Sequence, residues 1–249
     1  MEIIVVLLII LLTIVIVAVV AFIIWASLAR KPEIEALEAM ESNDLVDVKT
    51  DRWLVFCPKE KDPKVGLILY PGARVDVRAY SPAAQAIAAD GYLMVIVPMP
   101  LNLAGFAINR AAKVINAFPE IVHWAVGGHS HGGAMAASFA YNNQRTIKGL
   151  VLWSSYPASK NDFSDKDLAV ASIYETLDGR SVMKGIDSYR NRLPPHTCWT
   201  PIEGGCHARF GWYGLQKNEN VPTISHEAQQ EIITTSTLDL LAQVKNLKR

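Results

Sequence analysis

The sequence predicts an α/β domain with a mostly parallel central sheet flanked by helices, preceded by one N-terminal transmembrane helix. Short runs rich in Val, Ile and Leu alternate with helical patterns from residue 50 onward, as expected of parallel strands that are covered on both faces. Before them, the segment from Ile3 to Ala26 contains only one polar side chain, that of Thr13. A helix of this length spans about 36 Å, enough to cross a hydrocarbon core of about 30 Å.

This alternation sets the expected domain limits and elements. We assign residues 1–29 to a transmembrane anchor, 30–49 to a juxtamembrane spacer and 50–249 to the folded domain. Because functional groups gather at the carboxyl ends of parallel strands, residues that follow a strand are the candidates for a site. Helices are expected at 79–90, 104–117, 132–142, 181–192 and 225–246, and strands at Trp53–Cys57, Gly66–Tyr70, Leu93–Val97, Trp124–Gly127, Gly149–Trp153, Leu168–Tyr174 and Cys198–Ile202.

A cleaved signal peptide is the alternative to the anchor. Ser27-Leu28-Ala29 offers the spacing of small residues that signal peptidases prefer. Against this alternative, the apolar run exceeds the usual core of about 7–15 residues, and no basic residue precedes it. We therefore expect the segment to remain as a single membrane span.

Charge indicates the orientation of this span. Arg30 and Lys31 follow it directly, whereas no Lys or Arg precedes it, so the positive-inside rule places the folded domain in the cytoplasm. An odd count of three cysteines agrees with a reducing compartment, although Cys198 and Cys206 would be able to pair in an exported domain. The 24 basic and 24 acidic residues balance, so nothing indicates a nucleic-acid partner.

The motif that carries chemistry is Gly128-His129-Ser130-His131-Gly132. It follows a strand and precedes a helix-forming segment, which is the context that a G-x-S-x-G nucleophile elbow requires. The serine of such an elbow occupies a strained turn that exposes its Oγ, and glycines are needed where side chains would collide with the strand and the helix. The motif predicts Ser130 as a nucleophile.

An oxyanion hole needs two backbone N–H groups near this serine. One is expected from His131, directly after the nucleophile, and the second from the loop that follows an earlier strand. Pro71-Gly72-Ala73 follows such a strand, and Gly72 permits close approach of the backbone. We assign the second donor to the N–H of Ala73; an ordinary turn at Pro71-Gly72 is the alternative.

The acid and the base are sought further along the chain, in the order serine, acid, histidine. The loop after the strand that ends at Tyr174 contains two carboxylates, of which Asp178 is our choice and Glu175 the alternative. The base is expected to be His207, because it lies in a glycine-containing loop after the last strand. His207 would accept the Ser130 proton while Asp178 holds the imidazole in the required tautomer.

With these motifs the chain resembles the α/β-hydrolase superfamily, and in particular its compact single-domain members with a dienelactone-hydrolase-like core. The resemblance covers residues 50–249, and it implies the α/β-hydrolase fold. Dienelactone hydrolases carry a cysteine at the elbow, whereas this sequence has Ser130, which favours serine chemistry on esters. The residues that carry the resemblance are Tyr70-Pro71-Gly72, Pro100-Leu101-Asn102, the elbow at 128–132, Leu177-Asp178-Gly179 and Gly204-Gly205-Cys206-His207.

The expected function is hydrolysis of carboxylic esters through an acyl-enzyme on Ser130, with a small-molecule or lipid-derived ester as substrate. Acyl transfer and the cleavage of thioesters or amides use the same triad and remain open, as does a non-catalytic membrane scaffold. No cofactor is expected, and no metal, because His129 and His131 have no third ligand at a suitable spacing. Trp212 and Tyr213 are expected either to line the substrate pocket or to pack in the core.

Overall fold

The computed structural model describes residues 2–177, 182–217 and 219–247. A central sheet contains β1 (Val46–Lys49), β2 (Leu54–Pro58), β3 (Val65–Tyr70), β4 (Leu93–Ile96), β5 (His123–His129), β6 (Ile147–Trp153), β7 (Ala169–Glu175) and β8 (Cys198–Ile202). The strands lie in the order β1-β2-β4-β3-β5-β6-β7-β8. β2 runs antiparallel to both of its neighbours, and the other pairs are parallel. The predicted mostly parallel sheet is confirmed.

Helices cover both faces of this sheet. They are α1 (Glu2–Ser27), α2 (Ile34–Glu38), α3 (Ser81–Ala89), α4 (Arg110–Ala117), α5 (His131–Asn142), α6 (Val182–Tyr189) and α7 (His226–Lys245). One hydrophobic cluster joins α3 and α7 to the sheet, and a second cluster joins α4 and α5 to it. Each face is therefore shielded from water by two helices, which explains why the parallel strands are continuous apolar runs.

The segment assigned to a spacer includes a strand of the sheet. β1 pairs with β2 from Val46 opposite Pro58 to Lys49 opposite Val55, and Val46 is fully buried. This strand was not predicted, because an edge strand with one solvated face alternates apolar and polar residues, here as Val-Asp-Val-Lys, and lacks a continuous apolar run. The folded domain therefore begins before residue 50, and the boundary drawn there is corrected.

The N-terminal helix α1 stands apart from the two clusters over most of its length. Its described side chains from Ile3 to Trp25 are exposed on every face. The helix is long and apolar enough to cross a membrane, by a test of length and composition that signal sequences also pass. It is therefore a candidate membrane span.

The end of α1 is bonded directly to the domain. Asn102 Nδ2 donates to the carbonyl oxygen of Ala26 (3.1 Å), and Arg74 Nη2 donates to that of Leu28 (3.0 Å). The N–H of Arg30 in turn donates to the carbonyl oxygen of Arg74 (2.7 Å). Because these bonds fix the backbone on both sides of the helix end, α1 has a defined position on the domain.

Candidate functional site

The elbow lies at the carboxyl end of β5, where the chain turns into α5. Ser130 stands between the two elements with φ 53° and ψ −124°, a conformation that costs a residue with a side chain about 1–3 kcal/mol. Its N–H donates to the carbonyl oxygen of Trp153 (2.9 Å), and its own carbonyl oxygen accepts from Ser155 Oγ (2.7 Å). The neighbouring strand thus supports the strained turn that the sequence predicts.

Two glycines permit this turn, as expected. A Cβ at Gly128 would lie 2.6 Å from the carbonyl carbon of Gly132. A Cβ at Gly132 would overlap the carbonyl oxygens of Tyr70 and Pro71. Because all of these neighbours are backbone atoms, they have no side-chain freedom with which to move aside.

The loop from Gly72 to Val75, after β3, faces the elbow. The N–H of Gly72 donates to Tyr80 Oη (2.9 Å), that of Arg74 to the Asn102 carbonyl (2.9 Å) and that of Val75 to the Gly72 carbonyl (3.2 Å). The N–H of Ala73 donates to no group in the described part of the chain. At the elbow, His131 is the first residue of α5, and the first N–H groups of a helix have no intrahelical acceptor. Neither predicted donor therefore has an acceptor among the described residues.

A buried tyrosine joins this loop to the elbow. Tyr80 Oη accepts from the N–H of Gly72 and lies 2.9 Å from His129 Nδ1. Burial raises the pKa of Tyr80 far above its ordinary value, so the phenol stays protonated and shares a hydrogen bond with Nδ1. Gly72 is needed here, because a Cβ would lie 2.8 Å from that nitrogen. The spacing between loop and elbow is thus set by one phenol group.

Three buried groups meet at His207, which follows β8. Its Nδ1 lies 2.6 Å from Ser154 Oγ and 3.1 Å from Glu175 Oε1, and Ser154 Oγ donates to the same Oε1 (2.8 Å). None of the three residues is more than 2% exposed. Since the single hydroxyl proton of Ser154 is given to Glu175, Nδ1 must carry a proton and donate to both oxygens. This tautomer leaves the lone pair on Nε2.

The chain segments around this group are held by further hydrogen bonds. The N–H of Leu177 donates to the carbonyl oxygen of Gly205 (3.2 Å), which joins the loop after β7 to the loop after β8. From α7, Gln229 accepts from the N–H of Cys206 (3.0 Å) and donates to its carbonyl oxygen (2.8 Å). Both polar backbone groups of the residue before His207 are thereby fixed.

Two cavities meet at Ser130. The first, of about 190 Å³, is also lined by Ala73, His207 and, from α1, Trp25. The second, of about 240 Å³, is lined by His131 and by residues that follow β6, including Tyr156. The structure therefore brings Ser130, His207 and Ala73 to one cavity, with His131 beside them.

Asp178 lies outside the residues that the structure describes, whereas the alternative, Glu175, is the carboxylate that contacts His207. Sequence reasoning missed Ser154, Tyr80 and Gln229. Of these, Ser154 directly follows β6 and would have been found by testing the residue after every strand. Tyr80 and Gln229 lie within helical patterns that carry no such signal.

Trp212 and Tyr213 line neither of the two cavities. Trp212 and Tyr213 are buried, and Trp212 stacks on His226 with ring centroids 3.7 Å apart, so their packing interpretation is the correct one. In the described part of the chain, His129 and His131 belong to no group of three side chains able to hold a metal.

The strand order defines an α/β protein whose candidate site lies at the carboxyl ends of the parallel strands, where a strained serine and a carboxylate-bonded histidine line one cavity. The sequence pattern of the alpha/beta hydrolase family matches residues 66–231, more than half of the chain. The chain therefore belongs to the alpha/beta hydrolase family. No curated protein sequence matches it.

Several solved structures have the same fold. An esterase from Pyrobaculum calidifontis is 14% identical, with a TM-score of 0.58, over 84% of this chain and 89% of its own. A predicted CIB-like hydrolase from Thermoplasma acidophilum is 14% identical, with a TM-score of 0.55, over 80% of this chain and 98% of its own. A ferulic acid esterase from Streptomyces cinnamoneus is 13% identical, with a TM-score of 0.55, over 77% of this chain and 70% of its own.

The link between loop and elbow predicts a stability effect. We expect Tyr80→Phe to lower the free energy of unfolding by about 1–3 kcal/mol, because it removes the acceptor of the buried Gly72 N–H. Urea unfolding in detergent micelles measures this change. The matched control is Tyr92→Phe, since the Tyr92 hydroxyl bonds to no described residue, and its effect should stay within about 0.5 kcal/mol. Equal losses in both variants would contradict the role of Tyr80.

Proposed function

We propose that this protein is a serine hydrolase that cleaves carboxylic esters through an acyl-enzyme on Ser130. The observation that carries the proposal is a histidine that lines the same cavity as the strained serine and whose Nδ1 is bonded to a buried carboxylate at 3.1 Å. Two of the proteins with the same fold are esterases by name, which supports ester hydrolysis among the reactions open to this site.

In the acylation step, Ser130 Oγ attacks the ester carbonyl carbon while His207 Nε2 accepts the hydroxyl proton. The carbonyl oxygen becomes an oxyanion, which is stabilised by the N–H groups of His131 and Ala73. When the tetrahedral intermediate collapses, the imidazolium gives its proton to the departing alcohol. Water then attacks the acyl-enzyme by the same route, releases the acid and restores Ser130.

We propose Glu175, rather than Asp178, as the acid of this triad. Its Oε1 bonds to Nδ1 of His207 and to the hydroxyl of Ser154, and its side chain is fully buried. A buried carboxylate with these two bonds is suited to hold the imidazole tautomer and to stabilise the imidazolium that forms during attack. Ser154 is a positioning residue, since it contacts both the acid and the base.

We further propose that α1 is retained and spans the membrane once, with the folded domain in the cytoplasm. Its support is the basic pair Arg30 and Lys31 after the apolar segment. The bonds from Asn102 and Arg74 to the end of α1 also favour retention, because cleavage after Ala29 would separate the helix from the domain that binds it.

The nucleophile is tested with a fluorophosphonate probe, which reacts with activated serines. We expect the full chain in detergent to be labelled and Ser130→Ala to lose labelling, with turnover of a short-chain nitrophenyl ester reduced at least about 10³-fold. Ser164→Ala, at an exposed serine that lines neither cavity, is the control and should keep its labelling. Persistent labelling of Ser130→Ala would overturn the assignment.

The acid is tested by two amide substitutions. Glu175→Gln should lower kcat for a short-chain ester by about 10³–10⁴-fold, because the amide no longer stabilises the imidazolium. Asp178→Asn should change kcat less than about tenfold. The reverse pattern would restore Asp178 as the acid, and it would leave the ester-hydrolase proposal intact.

Topology is tested through Cys198, which is free and exposed. We expect a membrane-impermeant maleimide to label it only after the cells have been permeabilised. Cys198→Ser provides the background from the two other cysteines. Specific labelling of intact cells would place the domain outside.

A further inference from the structure

We propose that the substrate is a long-chain ester resident in the membrane, which reaches Ser130 directly from the bilayer through the cavity beside the end of α1. The proposal rests on the ester-hydrolase function above and states where its substrate comes from. It stands on three observations: which residue of α1 lines the cavity, where an exposed aromatic ring lies, and how small the cavity is.

The first observation is that the membrane helix itself forms part of the cavity wall. Trp25, in the last turn of α1, lines the same cavity as Ser130 and His207. The Arg74 guanidinium lies over the Trp25 ring at 4.4 Å and also bonds to the Leu28 carbonyl, so the contact is fixed from the domain side. The opening of the site is therefore at the end of the span.

The depth of this opening follows from helix geometry. The 20 residues from Ile3 to Phe22 span about 30 Å, the thickness of a hydrocarbon core. Trp25 then lies at the interface between lipid and water, where tryptophan is enriched in membrane proteins. Arg30 and Lys31 follow at the level of the lipid head groups. The cavity next to Trp25 is thus at the membrane surface.

The second observation is an exposed aromatic ring beside the span. Phe106 is 58% exposed, and its ring packs edge-on against Phe22 of α1 with centroids 6.2 Å apart. Because Phe22 lies about one helical turn deeper than Trp25, the Phe106 ring lies at the depth of the acyl chains. An exposed aromatic ring at this depth contacts acyl chains instead of water, which is favourable for its apolar surface.

This ring is carried on a loop that also contacts the elbow. Its neighbour Gly105 approaches His131 so closely that a Cβ there would lie 3.3 Å from the imidazole Nε2. The same short segment therefore contacts the lipid side and the residue after the nucleophile. An ester group that followed this segment from Phe106 would arrive at His131, the residue next to Ser130.

The third observation is the size of the cavity. Its volume of about 190 Å³ is below the roughly 300–1,000 Å³ of sites that enclose a drug-sized ligand. A long acyl chain therefore does not fit beside Ser130 as a whole, whereas the ester group and its first carbons do. The second cavity, on the Tyr156 side, leaves room for the other part of the substrate.

The route of access is tested with the full chain in lipid nanodiscs. A non-exchanging long-chain fluorogenic ester is placed either in the same discs as the protein or in separate discs. We expect hydrolysis at least tenfold faster when ester and protein share a disc. Equal rates in the two arrangements would overturn the proposal.

A substitution in the loop tests whether the substrate passes Phe106. For each variant we compare the rate of hydrolysis of the disc-embedded ester with that of a short-chain soluble ester. We expect Phe106→Ser to lower the ratio of the first rate to the second at least tenfold. The matched control is Leu45→Ser, also at an exposed apolar residue. Leu45 directly precedes β1, which begins near the amino ends of the parallel strands because β2 runs antiparallel to both β1 and β4. Leu45 therefore lies at the end of the sheet opposite to the elbow, and Leu45→Ser should keep the wild-type ratio. A wild-type ratio in Phe106→Ser would contradict the route.

These outcomes are separate from a failure of the proposed function. If neither ester is cleaved, or if Ser130→Ala cleaves them as the wild type does, the ester-hydrolase proposal itself is wrong. If the soluble ester is cleaved by a Ser130-dependent reaction but the ester in the same disc is not, only the membrane route is wrong.

Discussion

The hydrogen bonds around residues 72–74 connect the end of the apolar helix α1 to the elbow that carries Ser130. On one side Gly72 is bonded to Tyr80, and Tyr80 to His129 of the elbow. On the other side Arg74 is bonded through its backbone and side chain to Arg30 and to the end of α1. An N–H group stabilises an oxyanion only when it is already aimed at the place where charge develops. Because Ala73 stands between these two anchored residues, its direction depends on both, and the end of α1 is part of the support of the site.

The group formed by Ser154, Glu175 and His207 shows how a buried polar network can fix a histidine. The three hydrogen bonds within it converge on two atoms, Nδ1 of the imidazole and Oε1 of the carboxylate. In the absence of bulk water such bonds are stronger, and an unmatched group would be costly. Glu175 is the last residue of β7, so its long side chain extends from a rigid strand. An aspartate further along the loop would have to rely on the position of the loop itself.

A site at the end of a membrane span changes what binding requires. Moving an acyl chain out of lipid costs about 0.8 kcal/mol for each CH₂ group exposed to water. A cavity that admits only the ester group leaves the chain in the bilayer and avoids that cost. In the arrangement proposed here, the small cavity, the exposed Phe106 and the Trp25 wall belong together, because lipid would complete a substrate site that the protein forms only in part.

The sequence by itself determined the features that depend on local pattern: the apolar helix, the strands covered on both faces, and the elbow, whose glycines and serine are adjacent along the chain. It also indicated His207, because this residue follows a strand in the required order. The carboxylate that contacts His207 was decided only by the tertiary structure, since the direction of a side chain at a strand end depends on the packing around it. The same holds for Ser154 and Tyr80, and for the contact of Trp25 with the cavity. These residues come to the elbow, to His207 and to the cavity from elements far apart in sequence, and such distances are set by the packing of the sheet and helices, which no local pattern encodes.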